Sequence, residues 1–211
     1  MPVVLTKRIS EDEILAIWEI TESYEEFEER LHRTHWIDNA QEGTIHPIKR
    51  LEYLSCRFAT EHLAGAINIP FHGVYKDFHG KPHPKGDEFF LSWSHAYPYA
   101  VSCIHLKKPV GIDIERPREQ LVRASSKYMN DDETSLVEGN NLDQLCLIWA
   151  AKEAIFKMNG RSGLSLKDDI TIESIENTKK KVLSKANING SIKKISLDFF
   201  RMKENWVVYT R

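Results

Sequence analysis

The run Pro109-Val110-Gly111-Ile112-Asp113-Ile114-Glu115 constrains this chain more than any other. Apolar and acidic residues alternate in it, and in a strand side chains two apart share a face. Asp113 and Glu115 therefore project together, while Ile112 and Ile114 face the other way. Two like charges so close repel each other unless a cation or a basic group sits between them. Hard oxygen donors of this kind suit magnesium, which takes one or two carboxylates together with substrate phosphates and waters. A strand with a solvated acidic face is the competing reading of the pair on its own.

The second segment is Trp149-Ala150-Ala151-Lys152-Glu153-Ala154-Ile155-Phe156-Lys157. On a helix Glu153 and Lys157 lie one turn apart and share a face, with Leu145, Ile148, Ile155 and Phe156 available for the apolar side. An exposed ion pair is the ordinary account. The functional one is a third carboxylate for a metal, with lysines for phosphate. The third segment is Phe90-Leu91-Ser92-Trp93-Ser94-His95-Ala96. A Ser-His pair at a strand end can bind phosphate through hydroxyl, ring N–H and main-chain N–H groups. It is not a nucleophile with its base, because adjacent strand residues point to opposite faces.

With 211 residues the chain can bury a core as one large domain or two small ones. Its net charge of −2 gives no broad nucleic-acid or membrane footprint, and no stretch approaches the length of apolar sequence a bilayer span needs. The opening MPVVLTKRISEDEI turns acidic too early for a secretory leader. Cys56, Cys103 and Cys146 are far apart and odd in number, so they read as buried thiols of a reducing, cytoplasmic setting.

Residues 10–33 look helical, with Ser23 and Glu26 forming a capping box ahead of YEEFEERL. A second helix is expected over about 46–64, stopped by Gly65, and 66–87 reads as loop. Strands follow at about 88–93, 99–106 and 110–115, then a polar helical region at 118–138. Asn140 or Asn141 caps a helix from about 142 to 159, ended by Gly160. The last quarter alternates as strands around an Asn189-Gly190 turn. Strands follow helices in each half, so two small α+β units joined near Lys107–Pro109 are expected, with boundaries 1–107 and 108–211.

In order along the chain stand Gly80-Lys81-Pro82, Ser94-His95, Gly111 to Glu115, and Trp149 to Ala154. This series resembles the 4'-phosphopantetheinyl transferase superfamily in its long, surfactin-synthetase-activating form, over about residues 46–165 with a compatible strand-rich tail. The resemblance implies an α+β fold of two similar halves in a pseudo-twofold arrangement, each a helix packed on a small antiparallel sheet, with the active-site cleft between them. It implies a monomer that transfers the 4'-phosphopantetheine arm of coenzyme A to a serine of an acidic acyl or peptidyl carrier protein, releasing 3',5'-ADP. Asp113, Glu115 and Glu153 match the family's magnesium ligands, and Lys152 and Lys157 its lysines beside the pyrophosphate. Glu153, Lys157 and Lys152 are thus the catalytic candidates. Ser94 and His95 match the segment at the 3'-phosphate, Lys81 and Pro82 the loop along the adenosine, and Arg50 or Arg57 a further phosphate contact. Ala96 and Trp93 depart from the family's usual residues around the histidine and reshape the nucleotide pocket. Lys127 and Tyr128 are candidates by position for carrier docking.

Three other readings were weighed. A metal nuclease carries a lysine two residues after an acid on the strand, where this chain has Pro117. A coenzyme A- or carrier-binding module without transfer activity would not require all three carboxylates and both lysines. A zinc site among His32, His35, His79 and His83 lacks the Cys/His spacing of structural zinc.

Overall fold

The computed structural model describes residues 2–34, 46–86 and 88–211; His35 lies outside them. The chain divides into two compact units, Met1–Pro109 and Val110–Arg211. Each is a long helix on a small antiparallel sheet, the mixed α+β arrangement the motif order implied. Among the described residues no helix is long and apolar enough to cross a membrane.

In the first unit the strands β1 (Val3–Arg8), β2 (Glu13–Glu19), β5 (Phe90–Ala96) and β6 (Tyr99–His105) form a sheet in the order β1-β2-β6-β5. The helix α1 (Tyr24–His32) packs on α2 (Pro47–Ala66), which lies on β2, β5 and β6. A small hairpin, β3 (Val74–Lys76) with β4 (Pro82–Pro84), occupies part of what the sequence suggested was loop.

The helix expected over 10–33 is corrected here. Only Tyr24–His32 is helical, opened by the Ser23/Glu26 capping box, and Glu13–Glu19 is a strand. Glu13 to Trp18 are all buried. A strand buried throughout shows no alternation, so it cannot be told from a buried helix by periodicity. Nor is Gly65 the stop of α2. The helix runs to Ala66, and Asn68 takes the left-handed conformation just beyond it at φ 57°. Trp18, Phe27 and Phe58 pack together in this unit's core, the two phenylalanine rings 5.5 Å apart and nearly parallel.

The second unit has the sheet order β7-β11-β10-β9-β8, from β7 (Ile112–Glu115), β8 (Ile170–Glu176), β9 (Lys181–Ile188), β10 (Ser191–Met202) and β11 (Asn205–Thr210). Across this sheet lies α4 (Leu142–Met158), capped by Asn141, whose side chain accepts from the N–H groups of Asp143 and Gln144. The polar region expected as one helix over 118–138 breaks in two, α3 (Glu119–Tyr128) and a 3-10 turn (Asp131–Leu136). Asn130 causes the break, forming its own capping box with Glu133.

Gly111 sets how near α4 comes to β7. A Cβ there would stand 1.8 Å from the carbonyl oxygen of Ala154 and 3.0 Å from the nitrogen of Met158. Only glycine lets the strand lie against the helix backbone at this point. Its N–H donates to Thr210 Oγ1 at 3.0 Å, and its carbonyl accepts from the Thr210 N–H at 2.9 Å.

Candidate active site

Asp113 and Glu115 extend from one face of β7, as the alternation required, and that strand is held by β11 with Asp113 opposite Val208. Asp113 is 4% exposed. From α4, Lys157 reaches across and donates from Nζ to Asp113 Oδ1 at 2.6 Å. Glu115 accepts at Oε1 from the N–H of Arg116 at 2.9 Å and at Oε2 from Arg118 Nη2 at 3.0 Å.

Glu153, one turn before Lys157, stands in the same electrostatic environment. Burial pushes its carboxyl above the ordinary range. Lys157 pulls it back, Asp113 pushes it up, Arg161 pulls it back, and Glu115 adds a further upward push. Glu115 is raised too, first by burial; its bond from the Arg116 N–H opposes that, and the Asp113 charge adds to it. The three carboxylates therefore sense one another, with Lys157 as their common cation. Buried carboxylates under mutual repulsion are a hallmark of sites built to receive positive charge.

Among the described residues no three His, Cys, Asp or Glu side chains converge closely enough to hold an ion as they stand. The donor chemistry nonetheless fits magnesium. The ion needs only one or two carboxylates when phosphates and waters complete its shell, and β7 presents two on one face beside α4.

Lys152 is placed elsewhere. Its side chain is fully buried, and its ammonium donates to the carbonyls of Tyr128, Leu166 and Ile170 at 2.7, 2.9 and 2.7 Å. It pairs with Glu133 Oε2 at 2.7 Å. The expectation that it lies beside the pyrophosphate with Lys157 is thereby revised. Five residues on a helix turn a side chain through about 140°, so the two lysines leave α4 on different sides. Tyr128 is revised as well: it is buried against Trp149, with its hydroxyl donating to the Leu121 carbonyl, and offers no docking surface. Lys127 is exposed.

The first unit carries the other candidates. Asp77 builds the tip of the β3–β4 hairpin, its Oδ1 accepting from the N–H groups of His79 and Lys81 at 2.9 Å each, with Gly80 at φ 78° completing the turn. Lys81 is 8% exposed, and burial holds its ammonium below the ordinary range despite the charge of Asp77. Pro82 opens β4 opposite Lys76. On β5, His95 faces α2 and lies 3.2 Å through Nδ1 from Glu52 Oε2. The alternation puts the buried side chain of Ser94 on the opposite face of the sheet. Arg50 lies over the Tyr24 ring at 3.9 Å and beside Glu28 at 3.8 Å. Arg57 is buried between the rings of Tyr53 and Trp93, 3.8 and 5.3 Å away.

Sequence reasoning missed Arg118 and Arg161, which touch the field of the acids, and Glu52, which contacts His95. The Arg118 signal was present as an arginine three residues after Glu115. Glu52 forms an i,i+3 pair with Lys49 on α2, a spacing that does not by itself set it apart in the sequence.

No curated protein sequence matches this chain. Residues 109–210, however, match the family model of the 4'-phosphopantetheinyl transferase superfamily. The match takes in Gly111 to Glu115 and Trp149 to Ala154, and excludes the Gly-Lys-Pro and Ser-His segments. The half of the chain that holds Asp113, Glu115, Glu153 and Lys157 belongs to the 4'-phosphopantetheinyl transferase superfamily.

Proposed function

We propose that the protein moves the 4'-phosphopantetheine arm of coenzyme A onto a serine of an apo carrier protein and releases 3',5'-ADP, as a long-type member of its superfamily. The observation that carries this reading is the gathering of Asp113, Glu115, Glu153 and Lys157 where β7 meets α4, inside the family-matched segment. Asp113, Glu115 and Glu153 would hold magnesium, which supplies charge neutralisation at the pyrophosphate when bound.

The chain's own groups have separate tasks. Lys157 carries an ammonium at the acids and offsets the charge that grows on the leaving phosphate oxygen. Glu153, raised toward neutrality by burial and by its neighbours, is suited to accept the serine proton as well as to ligate. Lys152, clasped by Glu133 and three carbonyls, fixes the rotation of α4 and with it the aim of Glu153 and Lys157. His95, Lys81, Pro82 and Arg50 are assigned to the nucleotide end of coenzyme A, His95 to its 3'-phosphate; Ser94 enters as the backbone neighbour of His95.

The test is incubation with fluorescent coenzyme A, magnesium and a panel of apo carrier proteins, followed by a gel. Label should appear on at least one carrier, disappear with a chelator and be absent with Asp113→Ala. A panel left unlabelled, or labelling that ignores Asp113→Ala, would overturn the reading.

A further inference from the structure

Glu52 is a carboxylate in an unusual position. It lies on α2 at 3% exposure, yet it serves two nitrogen groups nearer the surface. Its Oε2 is 2.7 Å from Lys49 Nζ and 3.2 Å from His95 Nδ1, and those side chains are 58% and 39% exposed. Burial pushes Glu52 upward, but the hydrogen bonds and charges of His95 and Lys49 outweigh it and hold the carboxyl below its ordinary range.

An ionised carboxylate can only accept, so the hydrogen on the near edge of the His95 ring must sit on Nδ1. That leaves Nε2, on the opposite edge, to face outward from a half-exposed ring. A buried carboxylate behind a histidine fixes the ring's tautomer and orientation. The same oxygen tethers the Lys49 ammonium, so a ring nitrogen and an ammonium are held side by side on one buried anchor. Side chains held in this way suit a compact dianion such as a phosphate monoester.

We propose that Glu52 is a positioning residue: it orients His95, together with Lys49, for the 3'-phosphate of coenzyme A. This rests on the reading of His95 given above, and it assigns Glu52 and Lys49 a part that the motif segments do not contain.

The test compares coenzyme A with 3'-dephospho-coenzyme A as donors to the same apo carrier, using the full chain. In Glu52→Gln the KM for coenzyme A should rise roughly tenfold, the scale expected for an outer-shell partner. The kcat should stay within about twofold, and the KM for the dephospho donor should not move. Adding Glu52→Gln to His95→Ala should cost less on coenzyme A than Glu52→Gln costs alone, since only the tether to Lys49 is then left to lose. Equal losses on both donors would assign Glu52 to folding alone and overturn the proposal, as would an unchanged preference. If Glu52→Gln does not give a cooperative melt, Glu52→Asp replaces it, keeping the charge but withdrawing it by one methylene. Should the wild-type protein transfer neither donor, the transferase reading fails separately. Calorimetric binding of 3',5'-ADP against 5'-AMP then decides on Glu52 by the same comparison.

Discussion

Lys152 and Lys157 stand five residues apart on one helix, each bonded to a carboxylate across a similar gap, 2.7 Å to Glu133 and 2.6 Å to Asp113. Their surroundings are opposite. Lys152 and Glu133 are both fully buried, and Glu133 itself accepts from the N–H groups of Asn130 and Ile172. That network is closed, and it ties the 3-10 turn, β8 and α4 into one piece. Lys157 and Asp113 are 11% and 6% exposed at their side chains and share their region with two further acids under strain. The first pair is sealed in the interior; the second stands at its edge beside two further acids. The contrast shows that a lysine in a motif takes its role from the angle at which it leaves the helix, not from its place in the string.

The largest effect should come from Lys152→Met. It leaves Glu133 charged and buried without its cation, which costs about 3–5 kcal/mol, and chemical denaturation should show the loss. Activity should fall with folding, together with whatever aim Glu153 and Lys157 lose as α4 is freed to turn. If the folded variant lost transfer at unchanged stability, the contrast between the two lysines would collapse.

Gly111→Ala comes next. Its methyl group would meet the backbone of α4, and forcing the two apart should cost roughly 2–3 kcal/mol. Denaturant titration should register that loss, with transfer reduced beyond what unfolding explains. A neutral result would mean the helix shifts freely on the strand.

Lys157→Met is a smaller change for the fold and a larger one for chemistry. Breaking a charged hydrogen bond at the edge of the interior should cost about 1.5 kcal/mol, whereas transfer should drop by roughly 100-fold or more. Single-turnover labelling beside a thermal melt separates the two quantities.

The least costly change is Glu153→Gln, which should stabilise the metal-free protein at neutral pH. The sign follows from the raised carboxyls. A folded-state value above the ordinary 4.5 means the folded chain holds its proton longer than the unfolded one. Stability from this group is therefore present at low pH and lost as pH rises through the folded value. Melts of wild type and variant should coincide near pH 4 and separate, variant higher, toward pH 7. Curves that parted in the other direction would show that Glu153 is stabilised as an anion.

Much of this site is legible in the sequence. Period two puts Asp113 and Glu115 on one face, and the helical repeat puts Glu153 beside Lys157. The inward turn of Lys152 could not be read, because Trp149, Ala150, Ala151, Ala154 and Ile155 give α4 apolar residues on several sides. Nothing local then says which side meets the sheet. Its partner Glu133 did leave a sign, the Asn130-x-x-Glu133 capping pattern, in a stretch that otherwise looked like continuous helix. β2 was missed for the opposite reason: burial of every residue from Glu13 to Trp18 erased the alternation that marks a strand. Glu52 gave no local signal, since its contact with His95 joins positions 43 residues apart in the chain.

Gly111 has neither charge nor donor side chain, yet it acts as the gauge of the site. The clearance between strand acids and helix acid is fixed by the absence of one methyl group. An engineer wishing to admit a bulkier cation would gain little by exchanging carboxylates while that clearance stayed fixed. The first dimension to alter would be the spacing at Gly111, and every carboxylate on either side would move with it.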